Sequence, residues 1–179
     1  MKLNHCNKQT MRCEARFSQK ALVFCLLLTL SLRIWAEVLI GKVVGILDGD
    51  TITVLDKDQA EHKVRLMGID APESKQDFGV ASKQALSNYI YQREVTVDYK
   101  KLDKYKRIVG KVILDKQDIC LLMIELGMAW HYKDYEKEQS KRDRDLYRQA
   151  ELKARQEKIG LWQDSKAIEP SSFRKNGND

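Results

Sequence analysis

Three acidic side chains lie in two short stretches that each follow a predicted strand. Asp50 belongs to D-G-D-T at residues 48–51, and Asp70 and Glu73 belong to I-D-A-P-E at residues 69–73. These carboxylates bring only oxygen ligands, with no sulfur or imidazole beside them, which suits Ca²⁺ or Mg²⁺ better than zinc. Taken alone, D-G-D would indicate no more than a hairpin turn. Taken with the second stretch, it predicts a site for a hard divalent cation.

Two arginines are expected near the same cation. Arg65 lies in the alternating run at 64–66, and Arg107 opens a later strand beside Lys104 and Lys106. Planar guanidinium groups can clamp phosphate oxygens through paired hydrogen bonds, and a metal ion neutralises the charge that grows there during attack. Glu73 could then orient or deprotonate the attacking water. The combination predicts phosphodiester hydrolysis. Both arginines are expected at strand ends, facing solvent, where they would contribute little to the stability of the fold.

Other chemistries find little support in the sequence. The chain has three histidines, His5, His62 and His131, and none lies in a metal-binding or nucleophile motif. A ribonuclease that uses His62 and His131 stays formally possible. No P-loop, G-x-S-x-G or Cys-x-x-Cys pattern is present. Cys120 lies in an apolar run and is expected to be a small buried hydrophobic residue rather than a nucleophile.

The positive charge of the chain is concentrated near its start. The 179 residues carry a formal net charge of +6, and residues 1–36 hold six basic residues and one acidic residue. Residues 37–179 therefore hold 26 basic and 25 acidic residues, a net charge of +1. Any attraction for a polyanion must come from a local cluster of charge, not from a basic surface as a whole.

Residues 1–36 are predicted to be a signal peptide or an N-terminal membrane-targeting leader. Residues 21–32 are uncharged, which is short of the roughly 20 residues that a membrane span requires but is typical of a secretory signal. Cleavage after Ala36 would give a secreted or periplasmic protein. Without cleavage the protein would be membrane-tethered, and Met11 is an alternative start that would shorten the leader.

The remaining sequence predicts one domain at 37–164 and a polar, flexible tail at 165–179. Alternating and apolar patterns predict strands and helices in a fixed order. The strands are expected at 38–47, 51–54, 62–67, 94–99 and 107–114, and the helices at 78–92, 118–126 and 135–158. Short antiparallel strands with an intervening helix favour a small closed barrel of the oligonucleotide-binding (OB) type over a parallel sheet.

Three ordered sequence blocks resemble the signature of the thermonuclease (micrococcal nuclease-like) family. They are D-G-D-T, R-L-x-G-I-D-A-P-E and D-K-Y-x-R-x-x-G, and the resemblance extends from about Val38 to Trp162. It implies an α+β fold, a five-stranded antiparallel OB-type barrel with three α-helices. It also implies a monomeric Ca²⁺-dependent phosphodiesterase that cuts DNA and RNA to leave 3′-phosphates, without a stable protein partner.

The resemblance also assigns roles by position. Asp50, Asp70 and the backbone carbonyl of Ala71 resemble the calcium ligands, with Asp48 as a supporting acid. The catalytic triplet would be Arg65, Glu73 and Arg107.

The same resemblance points to contacts with the substrate. Lys104 and Tyr105 resemble residues that touch the terminal phosphate, and Tyr132 resembles an aromatic residue near the nucleotide. Trp130 matches a similar aromatic position, although a core role is nearly as well supported. Lys106 replaces a glycine found in some family members, which could alter the turn that aims Arg107.

Single-stranded or frayed nucleic acid is the expected preferred substrate, because stacking on aromatic faces tolerates any base. Two alternatives stay open. One is a catalytically inactive OB-fold module that binds nucleic acid, and the other is a membrane-tethered barrel that binds a protein partner. The presence of all the acids and arginines of the three blocks favours the enzyme.

Overall fold

The computed structural model describes residues 37–177, which belong to one compact unit. The strands are β1 (Glu37–Ile46), β2 (Thr51–Asp56), β3 (Glu61–Leu66), β4 (Ile69–Asp70), β5 (Glu94–Leu102), β6 (Ile108–Leu114), β7 (Gln117–Asp118) and β8 (Trp130–His131). The α-helices are α1 (Gly79–Ile90), α2 (Ile119–Glu125), α3 (Lys141–Gln156) and α4 (Pro170–Lys175), with 3₁₀ turns at Lys133–Glu138 and Gly160–Gln163. The predicted leader at 1–36 lies outside the described residues.

Five of the strands close into a barrel. They follow the order β3-β2-β1-β5-β6, and β6 returns to pair with β3. Four of the pairs are antiparallel, whereas β3 and β6 are parallel, with Val64 opposite Ile108. A ring of five strands cannot alternate direction all the way round, so one pair has to be parallel. The predicted five-stranded OB-type barrel is confirmed, with this one parallel pair in place of an entirely antiparallel ring.

Apolar side chains at alternate strand positions fill the barrel. Val43, Ile52, Val64 and Val97 are fully buried, because residues two apart on a strand point to the same face. Helix α2 adds Ile119, Cys120 and Met123 to the same core. Burial raises the pKa of the Cys120 thiol to about 12, in keeping with the predicted hydrophobic role of that residue.

N-cap residues set where two of the helices begin. Asp118, the first residue of the helix predicted over 118–126, caps α2 by accepting a hydrogen bond from the backbone N–H of Leu121. The long helix predicted over 135–158 begins only at Lys141, because Ser140 is its N-cap and accepts from the N–H of Asp143. A 3₁₀ turn and the extended Gln139 precede it.

The C-terminal segment also differs from the prediction. The sequence predicts a polar, flexible tail from residue 165, whereas the structure places α4 there, with Pro170 buried at its first turn. Proline suits this position because it has no N–H to leave unsatisfied. The structure therefore contains a short fourth helix in addition to the three that were predicted. Among residues 37–177, no helix has both the length and the apolar character to span a membrane.

Candidate active site

The predicted site residues converge on a cleft of about 640 Å³ at one end of the barrel. The loop after β1, the end of β3, the segment after β4 and the β5–β6 turn all contribute to it. Its walls include the predicted residues Asp50, Arg65, Ala71, Glu73, Lys104, Tyr105, Arg107 and Tyr132. Asp70 is fully buried and touches the cleft residue Arg65.

A tight turn delivers Asp50 to the cleft. Asp48 Oδ1 accepts the backbone N–H of Asp50 at 2.9 Å, which fixes the turn. A side chain at Gly49 would place its Cβ 1.9 Å from Ser82 Oγ and 2.7 Å from Ala71 Cβ, so glycine is required for this close approach. The carboxylate of Asp50 then accepts the backbone N–H of Ala71 at 2.7 Å. The D-G-D sequence therefore both makes a turn and buries an acid.

Arg65 lies at the centre of the acidic residues. Its Nη2 lies 2.9 Å from Asp70 Oδ1 and 3.0 Å from Asp50 Oδ2. Its Nη1 donates to the carbonyl oxygens of Leu66 at 2.9 Å and Ile69 at 2.8 Å. The side chain is only 13% exposed. The prediction that Arg65 faces solvent is wrong, because four acceptors surround its guanidinium.

The buried carboxylate of Asp50 has little compensating positive charge. Burial raises the pKa of Asp50 to about 7; Arg65 opposes this rise, whereas Asp48 and Asp70 add to it. A carboxylate with so high a pKa in spite of its guanidinium partner is poorly compensated, and a bound cation would stabilise it.

The donor set fits a hard divalent cation. In the described part of the chain, no group of three or more His, Cys, Asp or Glu side chains is arranged to hold a metal ion. The pair Asp50 and Asp70 would therefore supply two oxygen ligands, and the remaining positions would fall to a backbone carbonyl, water or phosphate. The backbone of Ala71, the third expected ligand, lies directly against Asp50.

Arg107 reaches the cleft from a strained turn. Asp103 accepts hydrogen bonds from the backbone N–H and the Nε of Arg107, at 2.9 Å and 2.7 Å. Lys106, just before it, has a φ of 63°, a conformation in which glycine is favoured. The lysine that replaces the glycine of some family members therefore still forms the turn, and Asp103 holds Arg107 in place.

Aromatic residues line the rim of the cleft. Tyr105 is 67% exposed, with Lys104 Nζ lying 4.9 Å from its ring centroid. Tyr132 packs on Tyr135, with ring centroids 4.9 Å apart. The place of Tyr135 in the cleft was not predicted, although its spacing of three residues from Tyr132 could have indicated that the two rings lie together.

Trp130 belongs to the core and not to the cleft. It is 9% exposed and lies 4.4 Å from Trp162 between ring centroids. The guanidinium of Arg155 lies over both rings, at 4.7 Å and 4.0 Å. Of the two roles that the sequence left open for Trp130, the structure supports the core role.

Glu73 contacts a residue that the sequence analysis missed. Its Oε1 accepts a hydrogen bond from Arg174 Nη1 at 2.5 Å, and the Glu73 side chain is 28% exposed. Arg174 lies on α4, 101 residues further along the chain. Pro170 could have signalled a helix start in this segment, but no local pattern indicates where the helix packs.

Comparison with known proteins gives consistent matches. The family model of staphylococcal nuclease homologues matches residues 63–164. An uncharacterized endonuclease of Haemophilus influenzae is 45% identical over 134 residues, covering 75% of this chain and 72% of that protein. The micrococcal nuclease of Shigella flexneri is 39% identical over 165 residues, covering 87% and 91%. The protein ParB of Escherichia coli is 39% identical over 154 residues, covering 81% and 84%.

Proposed function

Because this chain belongs to the family of staphylococcal nuclease homologues, we propose that it is a Ca²⁺-dependent nuclease that cuts DNA and RNA to leave 3′-phosphates. Its nuclease and endonuclease relatives support a nuclease that acts on nucleic acid. The single observation that carries the finer proposal is the meeting of Asp50, Asp70, Arg65, Glu73 and Arg107 at one cleft. Oxygen-only ligands beside two arginines suit phosphodiester hydrolysis.

The metal site of the proposal uses Asp50, Asp70 and the carbonyl of Ala71. Ca²⁺ bound there would neutralise negative charge that develops on a phosphate oxygen during attack. The two carboxylates are already drawn together by Arg65 Nη2, which lies within 3.0 Å of both. Both carboxylates therefore face the same point, which supports the assignment of both as ligands of one cation.

The catalytic residues have separate duties in this proposal. Glu73 orients the attacking water or accepts its proton, since its side chain is partly open to the cleft. Arg107 is held through its Nε by Asp103, which leaves its two terminal nitrogens for phosphate oxygens. Arg65 balances the acids and adds a second guanidinium on the side of Asp70.

The rim of the cleft supports a preference for single-stranded or frayed substrate. Tyr105 and Tyr132 offer faces on which unpaired bases can stack, a contact worth about 1–3 kcal/mol per base. Lys104 adds positive charge in the same cleft for the phosphate backbone. These contacts read no base edge, so cutting should depend little on sequence. The leader predicted for residues 1–36 is the reason to propose action outside the cytoplasm.

The test is digestion of single- and double-stranded DNA and of RNA, with Ca²⁺ and with excess chelator. We expect degradation in Ca²⁺ alone, with 3′-phosphate ends that block extension until a phosphatase removes them. The variant Glu73→Gln should still bind DNA but cut it at least about 100-fold more slowly. Equal digestion under chelation would reject the metal role. Binding without cutting in Ca²⁺ would favour the inactive OB-fold module.

A further inference from the structure

Helix α4 places a third arginine on the acids of the cleft. Arg174 Nη2 donates to Asp70 Oδ2 at 3.0 Å, and its Nη1 donates to Asp70 Oδ1 at 3.2 Å and to Glu73 Oε1 at 2.5 Å. One guanidinium therefore joins an expected metal ligand to the expected water-activating residue. Arg174 lies outside residues 63–164, the part of the chain that matches the family.

Specific contacts hold the C-terminal segment in this place. Gln76 Nε2 donates to the carbonyl of Ile168 at 2.6 Å, while Gln76 Oε1 accepts the backbone N–H of Glu73 at 3.1 Å. Phe173 borders a small cavity of about 140 Å³ together with Phe78 and Trp130. The same glutamine thus connects the loop that carries Glu73 to the segment that leads into α4.

Arg174 takes up oxygen atoms that a metal ion would need. Oδ1 of Asp70 already accepts from Arg65 and Arg174, and Oδ2 accepts from Arg174. Asp70 is fully buried, so a cation can reach its oxygens only where a residue that covers them moves away. A divalent cation bound to Asp70 would also be repelled by the positive charge of Arg174.

The position of Arg174 allows it to leave. Its side chain is 32% exposed, and the helix that carries it has six residues and lies outside the barrel strands. Arg65, by contrast, is 13% exposed and is bonded to two backbone carbonyls. Of the two arginines on Asp70, Arg174 is the one that can be displaced without opening the barrel.

We infer that Arg174 is a built-in competitor of the divalent cation, an inference that rests on the proposed metal site at Asp50 and Asp70. In the metal-free protein, Arg174 neutralises Asp70 and holds Glu73. Cation binding requires the guanidinium to leave Asp70, and its departure frees Glu73 for water. The C-terminal helix therefore couples the readiness of Glu73 to occupation of the metal site.

Calorimetric titration with CaCl₂ tests this competition in the full chain. The variant Arg174→Gln should bind Ca²⁺ about tenfold more tightly than the parent, within the range of about 5- to 150-fold common for coupled sites. Arg174→Lys keeps the charge but not the paired hydrogen bonds, so its affinity should fall between the two. The matched control is Lys175→Gln, the same loss of charge at an exposed neighbouring position, which should leave the affinity within about twofold of the parent.

Thermal melts supply a second readout. In chelator, Arg174→Gln should melt below the parent, because Asp70 loses a partner, and added Ca²⁺ should raise its Tm by more than that of the parent. Unchanged or weaker Ca²⁺ binding by a folded Arg174→Gln protein would overturn the competition while leaving the metal site intact. If neither the parent nor Arg174→Gln binds Ca²⁺, the proposed calcium site fails, and the competition fails with it.

Discussion

Asp103 holds Arg107 twice, once through the backbone and once through the side chain. Its Oδ1 accepts the backbone N–H of Arg107 at 2.9 Å, and its Oδ2 accepts the Nε at 2.7 Å. The same Oδ1 accepts the N–H of Tyr105 at 2.8 Å. One carboxylate therefore sets both the turn and the direction in which the guanidinium points.

Arg107→Lys should lower the rate of DNA cleavage by several powers of ten while leaving the Tm nearly unchanged. Lysine keeps the charge but loses both the fork and the Nε bond to Asp103, and one lost transition-state donor typically costs about 10²–10³ in rate. Lysine keeps most of the methylene packing of this side chain, which is 27% exposed, and the backbone N–H of residue 107 still donates to Asp103. Steady-state kinetics with thermal melts measure both effects. Arg93→Lys, on the exposed loop after α1, is the control, and near-normal turnover of Arg107→Lys would remove Arg107 from the site.

Arg65→Lys should lower both the rate and the stability. The rate should again fall by several powers of ten. In addition, the folded state loses hydrogen bonds to Leu66, Ile69 and Asp70, and buried charged bonds of this kind are worth about 1.5–3 kcal/mol each. Urea unfolding with chelator present measures the loss without a metal contribution. A stability equal to that of the parent would show that lysine replaces these bonds.

Lys106→Gly should stabilise the protein by about 1 kcal/mol and leave cleavage intact. Lys106 has a φ of 63°, which costs a non-glycine residue about 1–2 kcal/mol, and the flexibility that glycine adds to the unfolded chain cancels part of the gain. Urea midpoints compare the two proteins. Lys104→Gly, two residues earlier and without a positive φ, should give no gain. A loss of stability in Lys106→Gly would mean that the lysine side chain itself stabilises the turn.

In Asp103→Asn, the free energy of unfolding should fall less steeply with decreasing pH than in the parent protein. Burial alone would raise the pKa of Asp103, but hydrogen bonds from Arg107 and Tyr105 outweigh it and hold that pKa below the ordinary 3.8. The stabilisation is therefore present above the unfolded-state pKa and is lost as the pH falls through the folded-state pKa. Urea unfolding from about pH 7 down to about pH 3 should show a smaller decline for Asp103→Asn, from a lower starting stability. Parallel curves would assign the acid sensitivity to other carboxylates.

Local patterns predict the strands of the barrel, whereas the roles assigned to the site residues depend on the family resemblance. Alternation around Val64 and Val97 shows which residues face the core, and D-G-D-T predicts a turn because its glycine and acids favour one. Two failures arose from competing signals close together in the sequence. The charged and polar residues that follow Tyr135 continue through Ser140 into the helix, so the N-cap was not recognised there. The alternation around Arg65 predicts which face of the strand the side chain occupies, but it does not predict the hydrogen bond to the carbonyl of Ile69.

The contacts of Arg174 could not be predicted for a different reason. Its partners Asp70 and Glu73 lie 104 and 101 residues earlier in the chain, and the local sequence of a polar segment does not indicate contacts with such distant residues. The segment predicts weak structure because its composition offers few apolar contacts, yet charge pairing and Phe173 dock it. Contacts of this kind depend on a surface that exists only after the barrel has formed.

The parallel pair β3–β6 brings together at one cleft the two proposed catalytic arginines, Arg65 and Arg107, which lie far apart in the chain. Arg65 lies opposite Val109 across this pair, and Met67 N–H donates to Gly110 O at 2.9 Å beside it. A local opening there would part Arg65 from Arg107 while the rest of the fold stayed intact. The free energy at which the Met67 amide exchanges with solvent in the native state should therefore set the threshold for loss of activity in mild denaturant. Nuclease activity would then be lost at a lower denaturant concentration than the one that unfolds the whole domain.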